Sequence, residues 1–101
     1  MTTLTPAELS PRDGYRLLTS LVIPRPIAWL STLGSSGIPN LAPFSFFNAV
    51  SGSPPTLMIS IGQRAGQPKD SLRNIQETGE FVVNLVGEAQ AQVMNLSLIH
   101  I

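Results

Sequence analysis

The side chains available for chemistry in this 101-residue chain are mainly hydroxyls, amides and cations, because it has no cysteine and one histidine, His100. The lack of cysteine excludes disulfides, thiolate metal sites and cysteine nucleophiles formed by this chain. Any zinc site, histidine triad or histidine general base would have to include His100. The carboxylates Asp70, Glu77, Glu80 and Glu88 are expected to be cap and surface groups, and no pair of them is spaced for acid–base catalysis. We therefore predict no catalytic side chain and no metal site, and expect a cofactor to carry the chemistry while the protein positions it.

A helix that opens with Lys69, Asp70 and Ser71 is a candidate phosphate site. The N-terminus of a helix offers unpaired N–H groups and the positive end of the helix dipole, and a lysine adds a full charge. An ordinary capped surface helix explains the same three residues, and spacing alone favours that alternative.

Two further positions can contact an anion. Ser31 and Thr32 lie at the end of a predicted strand, where their hydroxyls can reach the same phosphate, although plain strand-end polarity is the simpler explanation. Arg25 lies between Pro24 and Pro26, so its backbone is stiff. It either contacts an anion or is a solvated turn residue.

Three phenylalanines, Phe44, Phe46 and Phe47, are mixed with the polar residues Ser45 and Asn48. Such a segment can wall a flat heteroaromatic ring while amides and hydroxyls bind its polar edge. A plain hydrophobic core accounts for the aromatic cluster as well, and both interpretations stay open on these residues alone.

The elements that must position these residues are short strands, turns and helices. In the first half of the chain we predict a helix or turn at residues 14–21, a strand at 27–33, a hairpin turn at 34–37 and a return strand at 38–42. In the second half we predict a strand at 56–61 that is covered on both faces, a helix that begins at 69, a strand at 80–86 and a helix at 89–95. Asp70 or Ser71 is expected to cap the helix that begins at 69, and Gly79 to end it. Mostly antiparallel strands with a few helices favour a mainly β or α+β fold, such as a β-barrel.

Charge and hydrophobicity limit the partners. Six Lys and Arg residues balance six Asp and Glu residues, which predicts no attraction to nucleic acid or to an anionic membrane. Hydrophobic residues make up 43% of the chain, enough for the core of one domain. No run approaches the roughly 18 apolar residues of a membrane helix, and the first residues lack the pattern of a signal peptide. We expect a cytoplasmic protein.

The two ends of the chain differ from its centre. Residues 1–13 are polar and carry two prolines, which predicts a loose N-terminal arm. Residues 96–101 match the translation of a common transposase adapter, so we predict that they are translated sequencing adapter rather than native sequence. The domain itself is then expected at residues 14–95.

Several blocks of the chain, taken together and in order, closely resemble the flavin reductase-like family of FMN-binding split-barrel proteins. These blocks are residues 25–32, 39–48, 54–55, 69–75 and 79–85. The resemblance implies a six-stranded antiparallel split barrel with flanking helices, of which the C-terminal half is absent here. It also implies a homodimer with non-covalent FMN near the interface, hydride transfer from NADH or NADPH to flavin, and in some members a partner monooxygenase.

The resemblance also assigns the site by position. Ser31 and Thr32 are expected near the ribityl-phosphate, and Lys69, Asp70 and Ser71 at the phosphate, with Ser71 standing where relatives often have threonine. The residues expected along the isoalloxazine ring, partly through backbone groups, are Ser45, Phe46, Asn48 and Ala49. The implied activity is an NAD(P)H-dependent flavin reductase, and the alternative is a flavin-binding module without turnover, such as a sensor or carrier. With strands of the barrel missing, we expect this chain alone to aggregate and to bind flavin weakly.

Overall fold

The computed structural model describes residues 3–64 and 66–99. The helices and strands, in chain order, are α1 (Pro11–Leu21), β1 (Ala28–Leu33), β2 (Pro39–Phe44), β3 (Phe47–Gly52), β4 (Pro55–Ile59), β5 (Gln63–Arg64), β6 (Gln67–Pro68), α2 (Asp70–Thr78), β7 (Val82–Asn84) and α3 (Ala91–Ile99). Short 3-10 turns at Pro6–Glu8 and Glu88–Gln90 precede α1 and α3. None of the helices within residues 3–64 and 66–99 has both the length and the hydrophobicity of a membrane-spanning segment.

The main sheet has three antiparallel strands in the order β2-β1-β7. A separate antiparallel hairpin joins β3 to β4, and the two-residue strands β5 and β6 pair with each other. The turn predicted at residues 34–37 connects β1 to β2, and Gly37 adopts φ 87°, a conformation that favours glycine. The architecture is therefore α+β with antiparallel sheets, as the sequence predicts.

The core lies where α2 packs on the main sheet. Leu30 in β1 is fully buried, and the strand register places it opposite Ala42 of β2 and Val83 of β7. Phe44 completes this cluster. Ala28, Leu30 and Thr32 share one face of β1 and are all buried, and Trp29 on the other face is 8% exposed.

Strand β4 corrects one prediction. The apolar run at residues 56–61 predicts a strand covered on both faces, but Leu57 and Met58 are 49% and 47% exposed. Among the described residues, β4 pairs with β3 alone. A continuous apolar run therefore gives no indication of which faces are covered in this chain, because coverage depends on elements distant in sequence. The expected self-association of the isolated chain stays a prediction, and these exposed side chains favour it.

Element boundaries also differ from the prediction. Helix α1 begins at Pro11 because Ser10 caps it, its hydroxyl accepting a hydrogen bond of 3.1 Å from the Asp13 amide. The predicted arm at residues 1–13 therefore overlaps a helix. Strand β3 was not predicted, and β7 is shorter than residues 80–86. Helix α3 extends to Ile99, into the predicted adapter segment 96–101, whose last two residues lie outside the described part. The origin of that segment stays a prediction.

Helix α2 starts and ends in different ways. Its N-cap residue is Lys69, which makes no side-chain capping hydrogen bond, so the prediction that Asp70 or Ser71 caps the helix is wrong. Asp70 instead pairs with Arg73 one turn later. The C-terminal prediction is confirmed, because Gly79 follows the helix with φ 75° and donates its N–H to the Ile75 carbonyl at 2.7 Å.

Replacing Gly79 by alanine is expected to lower the free energy of unfolding by about 1 kcal/mol, because an L-residue is strained at positive φ. Urea denaturation measures the change. Gly14→Ala is the matched control, since a Cβ at either position meets no atom within 4 Å and Gly14 lies inside α1. That variant should gain about 0.5–1 kcal/mol from helix propensity. If both variants changed the free energy of unfolding in the same direction, the explanation from the positive φ of Gly79 would be contradicted.

Candidate functional site

A groove opens where the chain leaves the main sheet and enters the β3–β4 hairpin. Ser45 and Phe46 connect β2 to β3, and Ser60 directly follows β4. The Ser60 amide donates to the Phe46 carbonyl at 2.8 Å, so the register of the hairpin fixes these residues side by side. Two cavities of about 470 and 340 Å³ share all three residues. We refer to these two adjoining cavities together as the Ser45–Ser60 groove.

One end of the groove, the Arg25 end, is lined by Arg25, Asn48 and Met58. The Arg25 guanidinium carbon lies 5.6 Å from the centroid of the Phe46 ring, within cation–π range. Its Nη1 donates to the carbonyls of Thr19 and Val22 at 3.0 and 2.9 Å. The charge is thus anchored on the negative end of the α1 dipole. The Nε atom of Arg25 is buried and has no hydrogen-bond partner among the described residues.

The other end, the Lys69 end, is lined by Tyr15, Gly62 and Lys69. The Lys69 ammonium lies 5.5 Å from the centroid of the Phe44 ring, and its backbone caps α2. The rings of Tyr15 and Phe46 approach to 6.0 Å at an interplanar angle of 35°. Aromatic side chains therefore support a cation at each end of the groove.

The groove is electrostatically positive. Among the described residues no carboxylate lines either cavity, and the ion pair that does form, between Arg73 and Asp70, lies outside both. Arg25 and Lys69 are therefore not neutralised by a neighbouring carboxylate. A cleft with one sign of charge concentrates ligands of the opposite sign. The arrangement suits an elongated anion with an aromatic part, and the hydroxyls of Ser45 and Ser60 add polar contacts.

Four of the nine predicted site residues lie together in this groove: Ser45, Phe46, Asn48 and Lys69. Ala49 lies next to it in β3, where its amide donates to Asn48 Oδ1 at 2.8 Å. The sequence left Arg25 undecided between anion contact and solvated turn, and it gave no sign of Tyr15 or Ser60. Their placement depends on the fold, which brings α1 and the end of β4 to the same cleft.

The predicted phosphate hydroxyls lie elsewhere. Thr32 Oγ1 accepts a 3.1 Å hydrogen bond from Asn74 Nδ2, and Ser71 Oγ accepts one of 2.9 Å from Asn40 Nδ2. Thr32 and Ser71 are only 5% and 1% exposed. These two amide–hydroxyl contacts join α2 to β1 and β2. We call the four residues the α2–sheet network.

Ser31 and Asp70 also lie outside the groove. Ser31 is on the opposite face of β1 from Thr32, where its hydroxyl accepts a hydrogen bond of 3.1 Å from Asn84 Nδ2. Ser31 also lines a separate cavity of about 590 Å³. Asp70 pairs with Arg73 on the surface of α2. Their predicted contacts with a phosphate, like those of Thr32 and Ser71, stay predictions.

Two uncharacterized bacterial proteins are similar to this chain. One from Halalkalibacterium halodurans is 47% identical over 97 residues, which cover 95% of this chain and 46% of that protein. YwrF from Bacillus subtilis is 51% identical over 88 residues, which cover 87% of this chain and 43% of that protein. The chain spans about half the length of the curated relatives it matches.

Two crystal structures share the fold. Nitrilotriacetate monooxygenase component B from Bacillus cereus matches with a TM-score of 0.89 and 39% identity, over 96% of this chain and 48% of that one. The 2-nitrobenzoate 2-nitroreductase NbaA from Pseudomonas fluorescens matches with a TM-score of 0.83 and 40% identity, over 95% of this chain and 46% of that one. The fold is thus part of the flavin reductase-like split barrel, as the resemblance implied. The family model described as "Flavin reductase like domain" matches residues 19–100, so the chain belongs to that family.

Proposed function

We propose that the protein binds FMN in the Ser45–Ser60 groove and acts as a flavin reductase that takes a hydride from NADH or NADPH. The observation that carries the proposal is the pair of cations, Arg25 and Lys69, at opposite ends of a groove without carboxylates among the described residues. Family membership supports a flavin as the ligand. A groove of this size is within the range of small-molecule sites, about 300–1,000 Å³.

The residues of the groove fit FMN in charge and in shape. Lys69 would hold the phosphate, because it is a cation at the start of a helix without a carboxylate partner in the described part. Ser45, Phe46 and Asn48 would lie along the ring system, with Ala49 beside them. When bound, FMN supplies the hydride-accepting chemistry, so this chain needs only to bind, orient and shield it.

We extend the proposal to assembly and location. One structural neighbour is a monooxygenase component, which supports a partner monooxygenase that uses the reduced flavin. A homodimer with the flavin near its interface belongs to the same proposal and is what the family resemblance implies. A cytoplasmic location, expected from the sequence, is also part of it.

Spectroscopy of the full gene product tests the proposed function. Purified protein, or protein given FMN, should show the two bands of an oxidised flavin, at about 370 and 450 nm. Adding NADH or NADPH without oxygen should bleach the 450 nm band. Protein that takes up no FMN would overturn the whole proposal. Protein that binds FMN but is not bleached by either nucleotide would instead be a flavin-binding module such as a sensor or carrier.

A further inference from the structure

Arg25 provides a positive charge whose position the fold determines. Two carbonyls at the end of α1 accept hydrogen bonds from its Nη1, at 3.0 and 2.9 Å, and the guanidinium lies over the Phe46 ring. These contacts use one of the three guanidinium nitrogens. The buried Nε has no partner among the described residues, which is costly for a donor unless a ligand or water accepts from it.

The location of this charge distinguishes it from Lys69. Arg25 lines the same cavity as Asn48, which the family resemblance places along the isoalloxazine ring, whereas Phe46 lines both cavities. Lys69 lines the other cavity and is the expected phosphate ligand. The phosphate keeps its charge when the flavin changes oxidation state, whereas the ring does not.

We propose that Arg25 binds the flavin ring and stabilises its reduced form over its oxidised form, an inference that rests on the proposed function. A hydride from the nicotinamide brings two electrons and one proton to the ring, and the nicotinamide is oxidised. The ring therefore gains one negative charge unless it takes up a second proton. A cation beside the ring favours that charged product and raises the midpoint potential.

The experiment compares FMN affinity and midpoint potential in Arg25→Gln and the unmodified full gene product. An opposite charge within a few ångströms favours the charged form of a group by about tenfold or more. We expect Arg25→Gln to weaken binding of reduced FMN about tenfold more than that of oxidised FMN. For a two-electron couple this preference lowers the midpoint potential by about 30 mV. Titration against a reference dye gives the potential, and fluorescence titration gives the affinity for oxidised FMN.

Two further variants separate this role from a structural one. Lys69→Gln should weaken both oxidation states equally and leave the potential of the bound flavin unchanged. Arg25→Lys keeps the charge but loses the planar guanidinium, so it should recover at least half of the potential shift. If Arg25→Gln weakens both forms equally, Arg25 only holds α1 in place and the inference is wrong. Unmodified protein that binds no FMN at all would overturn the proposed function instead.

Discussion

Replacing Asn74 by alanine is expected to lower the free energy of unfolding by about 2–3 kcal/mol. The amide of Asn74 donates to the Thr32 hydroxyl at 3.1 Å, and both residues are buried, at 6% and 5% exposure. The substitution would leave that hydroxyl without its donor and would empty space beside Gly34. A Cβ added at Gly34 would lie 3.3 Å from Asn74 Oδ1, which shows how closely the helix and the turn are packed.

Urea denaturation of the full gene product measures this effect, and Asn95→Ala is the matched control. Asn95 lies in α3 and is exposed, so the same chemical change should alter stability by less than about 0.5 kcal/mol. If Asn95→Ala lowered the free energy of unfolding as much as Asn74→Ala, the burial and the hydrogen bond of Asn74 would not be the cause of its effect on stability.

A double-mutant cycle then tests the contact itself. Thr32→Val removes the hydroxyl while keeping the shape of the side chain. Because each single variant breaks the same hydrogen bond, the double variant should cost less than the sum of the two, by about 0.5–1.5 kcal/mol. Strict additivity would mean that the 3.1 Å contact between Asn74 and Thr32 contributes nothing.

Thr32→Val also separates two roles for Thr32. The family resemblance places this hydroxyl near the ribityl-phosphate, whereas the structure buries it against α2. If the structural role is the only one, the variant lowers stability and leaves FMN affinity within about twofold. A much larger loss of affinity in a folded protein would show that the hydroxyl reaches the phosphate as well.

The α2–sheet network illustrates what a single sequence leaves undetermined. Asn74 and Thr32 are 42 residues apart, and Asn40 and Ser71 are 31 apart. The sequence marks Thr32 and Ser71 as polar residues near a predicted anion site. Their burial follows from the strand register and from the packing of α2 on the sheet. Neither of these two features produces a periodic pattern in the sequence. A polar residue that pairs across elements cannot be distinguished by its type from one that binds a ligand.

Local patterns predicted the parts of the fold that depend on near neighbours. The hairpin turn at residues 34–37 and the end of α2 at Gly79 are predicted correctly, because each depends on the conformation of a few adjacent residues. Strand β3 was missed because residues 43–51 mix phenylalanines with polar side chains without a period of two. The groove was predicted in part, since the family resemblance supplied Ser45, Phe46 and Lys69, while its Arg25 end required the position of α1.

Replacing Lys69 by glutamine is expected to raise the Kd for FMN by about tenfold to a hundredfold. A hydrogen bond to a charged partner contributes about 1.5–3 kcal/mol, and each 1.4 kcal/mol corresponds to a factor of ten. Lys69 is the only described cation that lines its end of the groove, and no described carboxylate there would compensate for its loss. Fluorescence titration of the full gene product with FMN gives the Kd.

Arg73→Gln is the matched control for a change of net charge. Arg73 is a cation on the same helix, but it pairs with Asp70 and its side chain is 54% exposed. We expect this variant to change the Kd for FMN by less than about threefold, because a screened surface pair contributes about 0–1 kcal/mol. A loss equal to that of Lys69→Gln would mean that the total charge of α2, rather than a contact with Lys69, determines affinity.

Riboflavin, which has the same ring system without the phosphate, identifies the part of the ligand that Lys69 binds. If Lys69 contacts the phosphate, the substitution should leave the Kd for riboflavin almost unchanged and remove most of the preference for FMN. If Lys69 acts mainly by packing over the Phe44 ring, 5.5 Å away, both ligands should lose affinity equally. That second outcome would mean that the phosphate binds at another part of the protein, where Ser31 and Ser71 are the candidates to bind it.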